Sequence, residues 1–197
     1  IVWGALFFLS GQPVRAALAL AGLGAAGSLG AYAAFDHVRQ RVDKFLFALA
    51  GDNSQVDHAV QSFAQGGFLG RGPGEGTIKT VLPDAHTDFI FAVIAEEYGV
   101  VACIALVGLY AFVVLRAFLR GWREPEPATR LAVIGLSLLI GLQALINMAV
   151  NVGLMPAKGM TLPFVSYGGS SLVGMALAMG MLVALTRRRP AHGRLKS

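Results

Sequence analysis

A histidine, a threonine and two carboxylates stand at the head of a long apolar run: Leu82-Pro83-Asp84-Ala85-His86-Thr87-Asp88, followed by Phe89-Ile90-Phe91. A carboxylate at the mouth of a membrane helix is costly unless it has a partner or a task. Asp88 admits two readings. As a structural group it caps the helix that begins there, because an acid near a helix N-terminus is favoured by the dipole. As a functional group it is a general base, and the same dipole would help keep the carboxylate ionised. His86 and Thr87 are placed to orient it or to bind substrate hydroxyls.

Other polar groups cluster near in sequence. Gly66-Gly67-Phe68-Leu69-Gly70-Arg71-Gly72-Pro73-Gly74-Glu75-Gly76 excludes regular structure and permits unusual backbone angles. It follows no strand and does not match a dinucleotide-binding fingerprint. It is either a flexible loop or a set of backbone amides that, with Arg71 and Lys79, surrounds an anionic headgroup. Lys158 is either a snorkelling lysine or one half of a phosphate site. In the second reading its loop leads to Ser166-Tyr167-Gly168-Gly169 at a helix start, and a cation beside a helix N-terminus suits a phosphate or pyrophosphate. Glu96 and Glu97 fall about 12–14 Å along a helix from Asp88. Gln143, Asn147 and Asn151 recur every four residues and make a polar stripe. These groups either hydrogen-bond between helices or line a polar cavity. No zinc-type ligand spacing occurs, so no metal set is assigned, and the lone Cys103 is a packing residue.

The elements that must position these groups are membrane helices. The chain is 55% hydrophobic and 14% charged, where soluble domains carry about 25% charged residues. Residues 16–35, 131–155 and 160–186 hold no charge, and 89–115 hold only Glu96 and Glu97. A span needs about 20 apolar residues. The expected fold is therefore an all-α polytopic membrane helix bundle with four complete spans plus one partial span at residues 1–10. Such a beginning, inside a helix, points to the C-terminal part of a longer membrane protein. Residues 1–35 form the partial span and a transmembrane hairpin, 36–87 a large loop, and 88–197 three further spans and a short tail. Within the loop, Val38, Val42, Phe45, Leu46 and Leu49 share a helical face suited to a membrane surface. A second helix is expected over 55–64, with Val56, Ala59, Val60 and Phe63 on one side.

Charge sets the topology. Taken alternately, the segments between spans carry ten Arg and Lys against two Glu on one side, and six against seven Asp and Glu on the other. The positive-inside rule puts the first set in the cytoplasm and the 36–87 loop outside. The high pI of about 9.8 thus reflects orientation, and nucleic acid is not needed as a partner.

The strings Gly70-Arg71-Gly72-Pro73-Gly74-Glu75-Gly76, Leu82 to Ala92, Glu96-Glu97-Tyr98-Gly99, Met155-Pro156-Ala157-Lys158-Gly159 and Leu162 to Ser171, with Asn147, resemble the SEDS family over nearly the whole chain. The resemblance implies a ten-span peptidoglycan glycosyltransferase of the bacterial cytoplasmic membrane that polymerises lipid II, with this chain holding roughly the last half. It maps the family's essential external aspartate onto Asp88 and its Lys-Gly loop onto Lys158-Gly159. Ser54-Gln55 departs from the Tyr-Gln of many relatives. The implied partners are lipid II, a class B penicillin-binding protein and other division proteins. No cofactor is required, although a divalent cation is compatible with the chemistry. The wording Pro83-Asp84-Ala85-His86 leans toward division at the septum, with elongation as the alternative role. A lipid II flippase and a division scaffold are the competing functional classes.

Overall fold

The computed structural model describes residues 2–11, 13–47, 54–77, 80, 82, 84–155 and 159–187. Among them all regular structure is helical: α1 (Val2–Leu9), α2 (Val14–Ala34), α3 (Asp36–Phe47), α4 (Ser54–Gly66), α5 (Ile90–Trp122), α6 (Pro127–Asn151) and α7 (Gly169–Thr186). Four of these, α2, α5, α6 and α7, are long and apolar enough to cross a membrane. The expected all-α bundle with four complete spans is what the chain forms.

The core has two regions: Ala59 of α4, Ala92 and Val93 of α5 and Val150 of α6 pack with Leu82, Ala85 and Phe89 at one end, and α5, α6 and α7 meet at the other. Val133 and Ile140 of α6 pack with Ala117 of α5 and with Met175, Ala178 and Leu182 of α7. Small residues bring the helices together. A Cβ added at Gly121 would lie 2.9 Å from Val133, and one at Gly141 would lie 2.9 Å from Val114. α1 joins through Leu6, which fills the space over Gly135. By contrast α2 buries no residue. Its Gly22, Gly24, Gly27 and Gly30, expected from sequence to allow close helix contact, meet no neighbour among the described residues. α3 is tied back to α2 by a hydrogen bond from Tyr32 Oη to Asp43 Oδ1 at 2.7 Å.

The largest departure from the sequence reading is in α5. Charge and hydropathy imply one span running on from Phe89, but Gly99 breaks the helix with φ 79° and ψ 178°. The two halves fold against each other. Phe91 and Cys103 would stand about 18 Å apart in a straight helix, yet Cys103 Sγ lies 3.9 Å from the Phe91 carbonyl oxygen. The second half alone, from Val100 to Trp122, is about 34 Å long and sufficient to span a bilayer. Its Val101, Ile104, Val107 and Phe112 side chains are exposed, as a lipid-facing helix requires.

A break inside a membrane helix strands backbone groups that hydrocarbon cannot satisfy. Here the glycine-rich loop takes the place of the missing turn. Arg71 N–H donates to the Glu96 carbonyl at 2.9 Å and Gly72 N–H to the Glu97 carbonyl at 3.1 Å. In return Val100 N–H donates to Gly67 at 2.9 Å and Val101 N–H to Phe68 at 3.3 Å. The approach is so close that a Cβ on Gly70 would collide with the Glu97 carbonyl, and one on Gly99 with the Phe68 carbonyl. The loop is thus neither free nor flexible along 67–72. α4 delivers it, with Val56, Ala59 and Ser62 buried on one face. Val60, expected on that face, is 44% exposed and lies at its edge over Gly153. In α3, Val38 and Val42 carry the described part of the expected apolar face. The side chains of Phe45 and Leu46, and Leu49 entirely, lie outside the described residues.

Candidate functional site

Asp88 sits in a turn of 84–89 that precedes the first half of α5. Asp84 starts that turn with φ 56°, a left-handed conformation that aspartate tolerates better than most residues. Its carbonyl gathers the N–H groups of Thr87 and Asp88, each at 3.0 Å, and the Thr87 hydroxyl at 3.1 Å. The Thr87 hydroxyl therefore gives its proton to the backbone and keeps only acceptor capacity. The His86 carbonyl accepts from Tyr167 N–H at 2.9 Å, which draws the segment before α7 onto the turn, while the His86 side chain is exposed.

The polar stripe of α6 holds this arrangement from below. Asn147 Nδ2 donates to the Asp88 carbonyl at 2.8 Å and also to the Met160 carbonyl. Asn151 Nδ2 donates to the same Asp88 carbonyl at 3.0 Å. Its Oδ1 accepts from Ala92 N–H at 3.0 Å, in the first turn of α5. Gln143 Nε2 donates to the Thr161 carbonyl at 3.1 Å. Both asparagines are almost fully buried. The stripe does bond helix to helix, through Asn151 of α6 and Ala92 of α5, but most of its partners lie outside the helices. It clamps the main chain of the 84–89 turn and of the loop that begins at Gly159.

That clamp decides the capping question. The N-cap position of α5 is Phe89, with no side-chain cap, and the amide of Ala92 is served by Asn151 instead. Among the described residues nothing hydrogen-bonds the Asp88 carboxylate. It faces Gly159, where an added Cβ would lie 3.5 Å from Asp88 Oδ2. Burial first, and then the negative charge of Asp84, push the Asp88 carboxyl above its ordinary range. The helix dipole expected to favour ionisation is outweighed by loss of solvent and by the neighbouring acid. A carboxylate with a raised pKa is a better proton acceptor when ionised.

The loop from Gly159 to Gly168 completes the site. Ser166 Oγ accepts from Leu162 N–H at 2.7 Å, and Tyr110 of the second half of α5 donates its hydroxyl to the Pro163 carbonyl. Ser166 is thus a buried brace of the turn. Gly168 is the N-cap of α7, with no side-chain cap. His86, Thr87, Asp88, Ser166 and Gly168 belong to one neighbourhood. Arg71 belongs to another, roughly 12 Å along α5. Its Nη1 lies 3.8 Å from Glu96 Oε1 and 3.3 Å from Thr77 Oγ1. Glu96 is fully buried and also accepts from Thr77 N–H at 2.7 Å, so these groups anchor the glycine-rich loop. Lys79 and Lys158 lie outside the described residues; Lys158 directly precedes Gly159 in the chain. Among the described residues no three His, Cys, Asp or Glu side chains converge as a metal site would require.

Asn147 and Asn151 as positioning groups are what the sequence reading missed. Their four-residue spacing was visible, but their partners are main-chain atoms 59 and 63 residues away, which no side-chain pattern reports.

Comparison with known proteins agrees with this architecture. The profile of the FtsW/RodA/SpoVE family, described as "Cell cycle protein", matches residues 1–190. A protein of Caulobacter vibrioides named "Probable peptidoglycan glycosyltransferase FtsW" is 48% identical over 194 residues, covering 98% of this chain and 50% of that protein. A protein of the same name from Coxiella burnetii is 40% identical over 190 residues, covering 92% of this chain and 50% of the relative. A solved chain described by the words "Structural coordination of polymerization and crosslinking by a peptidoglycan synthase complex" superposes with a TM-score of 0.70 at 30% identity, over 92% of this chain and 51% of its own length. The chain spans about half the length of the curated relatives it matches. On a profile match that covers almost all of its length, this multi-pass membrane chain belongs to the FtsW/RodA/SpoVE family of cell cycle proteins.

Proposed function

We propose that the chain is the catalytic part of a peptidoglycan glycosyltransferase that polymerises lipid II during cell division, with Asp88 as general base. The glycan C4 hydroxyl of the acceptor attacks the anomeric carbon of the donor. The new C–O bond forms as the bond to undecaprenyl pyrophosphate breaks, and the configuration inverts. The hydroxyl proton goes to Asp88. The leaving group is already a stabilised anion, so the second carboxyl group that glycosidases use as an acid is not needed. Positioned base catalysis of this kind contributes about 10²–10⁴-fold.

The observation that carries the reading is the state of Asp88. Its main chain is held by two buried asparagines, while among the described residues nothing hydrogen-bonds its carboxylate, which is left to meet a substrate. Lys158, next in sequence to the glycine that faces Asp88, is the first choice for offsetting the pyrophosphate charge. Lys79 and a divalent cation are further contributors, and Arg71 is the weaker candidate because Glu96 already engages it. The active loops face the outside of the cell at the septum, and a class B penicillin-binding protein is the partner. This rests on the charge bias of the loops, on the relatives' printed names and on the peptidoglycan synthase complex to which the fold is similar. The test is gel analysis of lipid II polymerisation by the full-length protein with its partner. Asp88→Asn is expected to fold and to make no glycan. Glycan at the parental rate rejects the base assignment.

A further inference from the structure

At the end of the bundle opposite Asp88, a cavity of about 680 Å³ opens between the last turns of α5, the α5–α6 connection and the end of α7. Arg116, Arg120 and Arg123 line it from one face of α5, at the i, i+4, i+7 spacing that stacks side chains along a helix. Arg187, which follows α7, closes the opposite wall. Two carboxylates also line it. Glu126 accepts from the Thr129 hydroxyl at 2.8 Å at the start of α6, and Glu124 stands at the connection. Among the described residues none of the four guanidinium groups forms an ion pair. Four cations against two carboxylates leave an excess of positive charge in a concave space.

The remaining walls say what kind of anion belongs there. Leu119 and Leu185 line the cavity. Leu115, Leu119 and Trp122 continue outward along α5 as exposed apolar surface, and Arg116 lies 5.9 Å over the ring of Phe112, one turn further toward the apolar end. A soluble anion would use only the arginines. A phospholipid would use both features, with phosphate among the guanidinium groups and acyl chains along the Phe112–Leu119 face. Basic pockets between spans recognise lipid headgroups in this way. We propose that this cavity is a binding site for the phosphate headgroup of an anionic membrane phospholipid. The proposal does not depend on the glycosyltransferase reading, because its readout is lipid retention.

The full-length protein is purified in neutral detergent with equal amounts of phosphatidylglycerol and phosphatidylcholine, and the retained lipids are counted by native mass spectrometry. The parental protein should retain phosphatidylglycerol preferentially. Arg116→Gln/Arg120→Gln/Arg123→Gln should weaken that retention on the order of 100-fold, and Arg120→Gln alone about five-fold. Should the triple variant fail to fold, the single variant decides. Arg39→Gln, on α3, should leave retention unchanged. Equal retention in parent and arginine variants overturns the proposal. So does thermal protection by inorganic phosphate alone that matches phosphatidylglycerol, which would make the site one for a free anion, and so does displacement of the lipid by a polyglutamate peptide at equal concentration, which would make it a docking site for an acidic segment.

Discussion

Replacing Asn151 by Ala tests whether the site is built from the main chain outward. Asn151 is fully buried and makes three short side-chain hydrogen bonds, from Ala92 N–H at 3.0 Å, to the Asp88 carbonyl at 3.0 Å and to the Asn147 carbonyl at 2.9 Å, with a fourth, longer one to Asn147 Oδ1 at 3.4 Å. Each contributes about 0.5–1.5 kcal/mol net. Neither backbone partner on the α5 side is orphaned by the change. Asp88 keeps Asn147 at 2.8 Å, and Ala92 N–H keeps the Phe89 carbonyl at 3.0 Å. The loss of stability should therefore be about 2 kcal/mol rather than the larger figure for stranded buried groups. The functional loss should be greater in proportion. With one of its two anchors gone, the 84–89 turn can shift, and a misplacement of about 1 Å costs on the order of 10²-fold in rate. Lipid II polymerisation by the full-length protein with its partner should show kcat down about 10–100-fold and KM little changed. Asn151→Asp should be worse than Ala, since it sets a carboxylate oxygen against two carbonyls. An Asn151→Ala protein that is less stable by the expected amount yet polymerises at the parental rate would show that Asp88 does not depend on the clamp.

The acid limb of kcat/KM should report the raised Asp88 carboxyl. Asp84→Asn removes one of the two causes and should move that limb to lower pH; an unmoved limb would detach it from Asp88. For stability the sign is the reverse of a salt-bridged acid. A carboxyl whose folded pKa is raised stabilises the fold below its unfolded pKa, about 3.9, and that contribution is lost as pH rises through the folded value. Asp88→Asn should thus keep or slightly raise thermal stability at neutral pH while abolishing polymerisation, and a clear drop in stability would restore a structural role. Gly159→Ala places a methyl group 3.5 Å from Asp88 Oδ2 at φ 61°. It should cost about 1–2 kcal/mol and, by further desolvation, shift the acid limb to higher pH, opposite to Asp84→Asn. Gly99→Ala meets backbone atoms of Phe68 and Gly70 and should destabilise by about 3 kcal/mol or more, with new protease cleavage in 66–72; an intact, resistant protein would contradict the inserted-loop geometry.

Hydropathy made the four spans legible, because about 20 uncharged residues have few other uses. Periodicity made α4 legible, within a residue or two of its observed ends. The break in α5 was not legible by the same means. Gly99 looks like any of the chain's 25 glycines, and the apolar runs 89–95 and 100–115 on either side of Glu96-Glu97-Tyr98-Gly99 are long enough together to pass for one helix. What distinguishes it is the partner loop, 28 residues earlier, whose amides and carbonyls replace a helical turn. The glycines of that loop suit either a flexible loop or amides around an anion, whereas Gly70 is there to let two backbones touch. Buried Glu96 belongs to the same event: its sequence position suits a bond between helices or a cavity lining, but Thr77 and Arg71 show it holding the loop end.

Asp88 and Glu96 are held in opposite ways. Glu96 gains a backbone amide, a hydroxyl and a guanidinium for its carboxylate, the pattern of an acid retained for the fold. Asp88 gains nothing for its carboxylate among the described residues, stands near another acid, and is partly removed from water. Each of these disfavours the ionised form. The surrounding polar groups are nonetheless arranged with care, and all of them serve the main chain: Asn147 and Asn151 at the Asp88 carbonyl, Asp84 beneath its amide, Tyr167 on His86. A cap would show the opposite distribution, with the side chain satisfied and the backbone merely following it. An acid fixed by its backbone and left destabilised at its oxygens is what proton transfer from a hydroxyl demands.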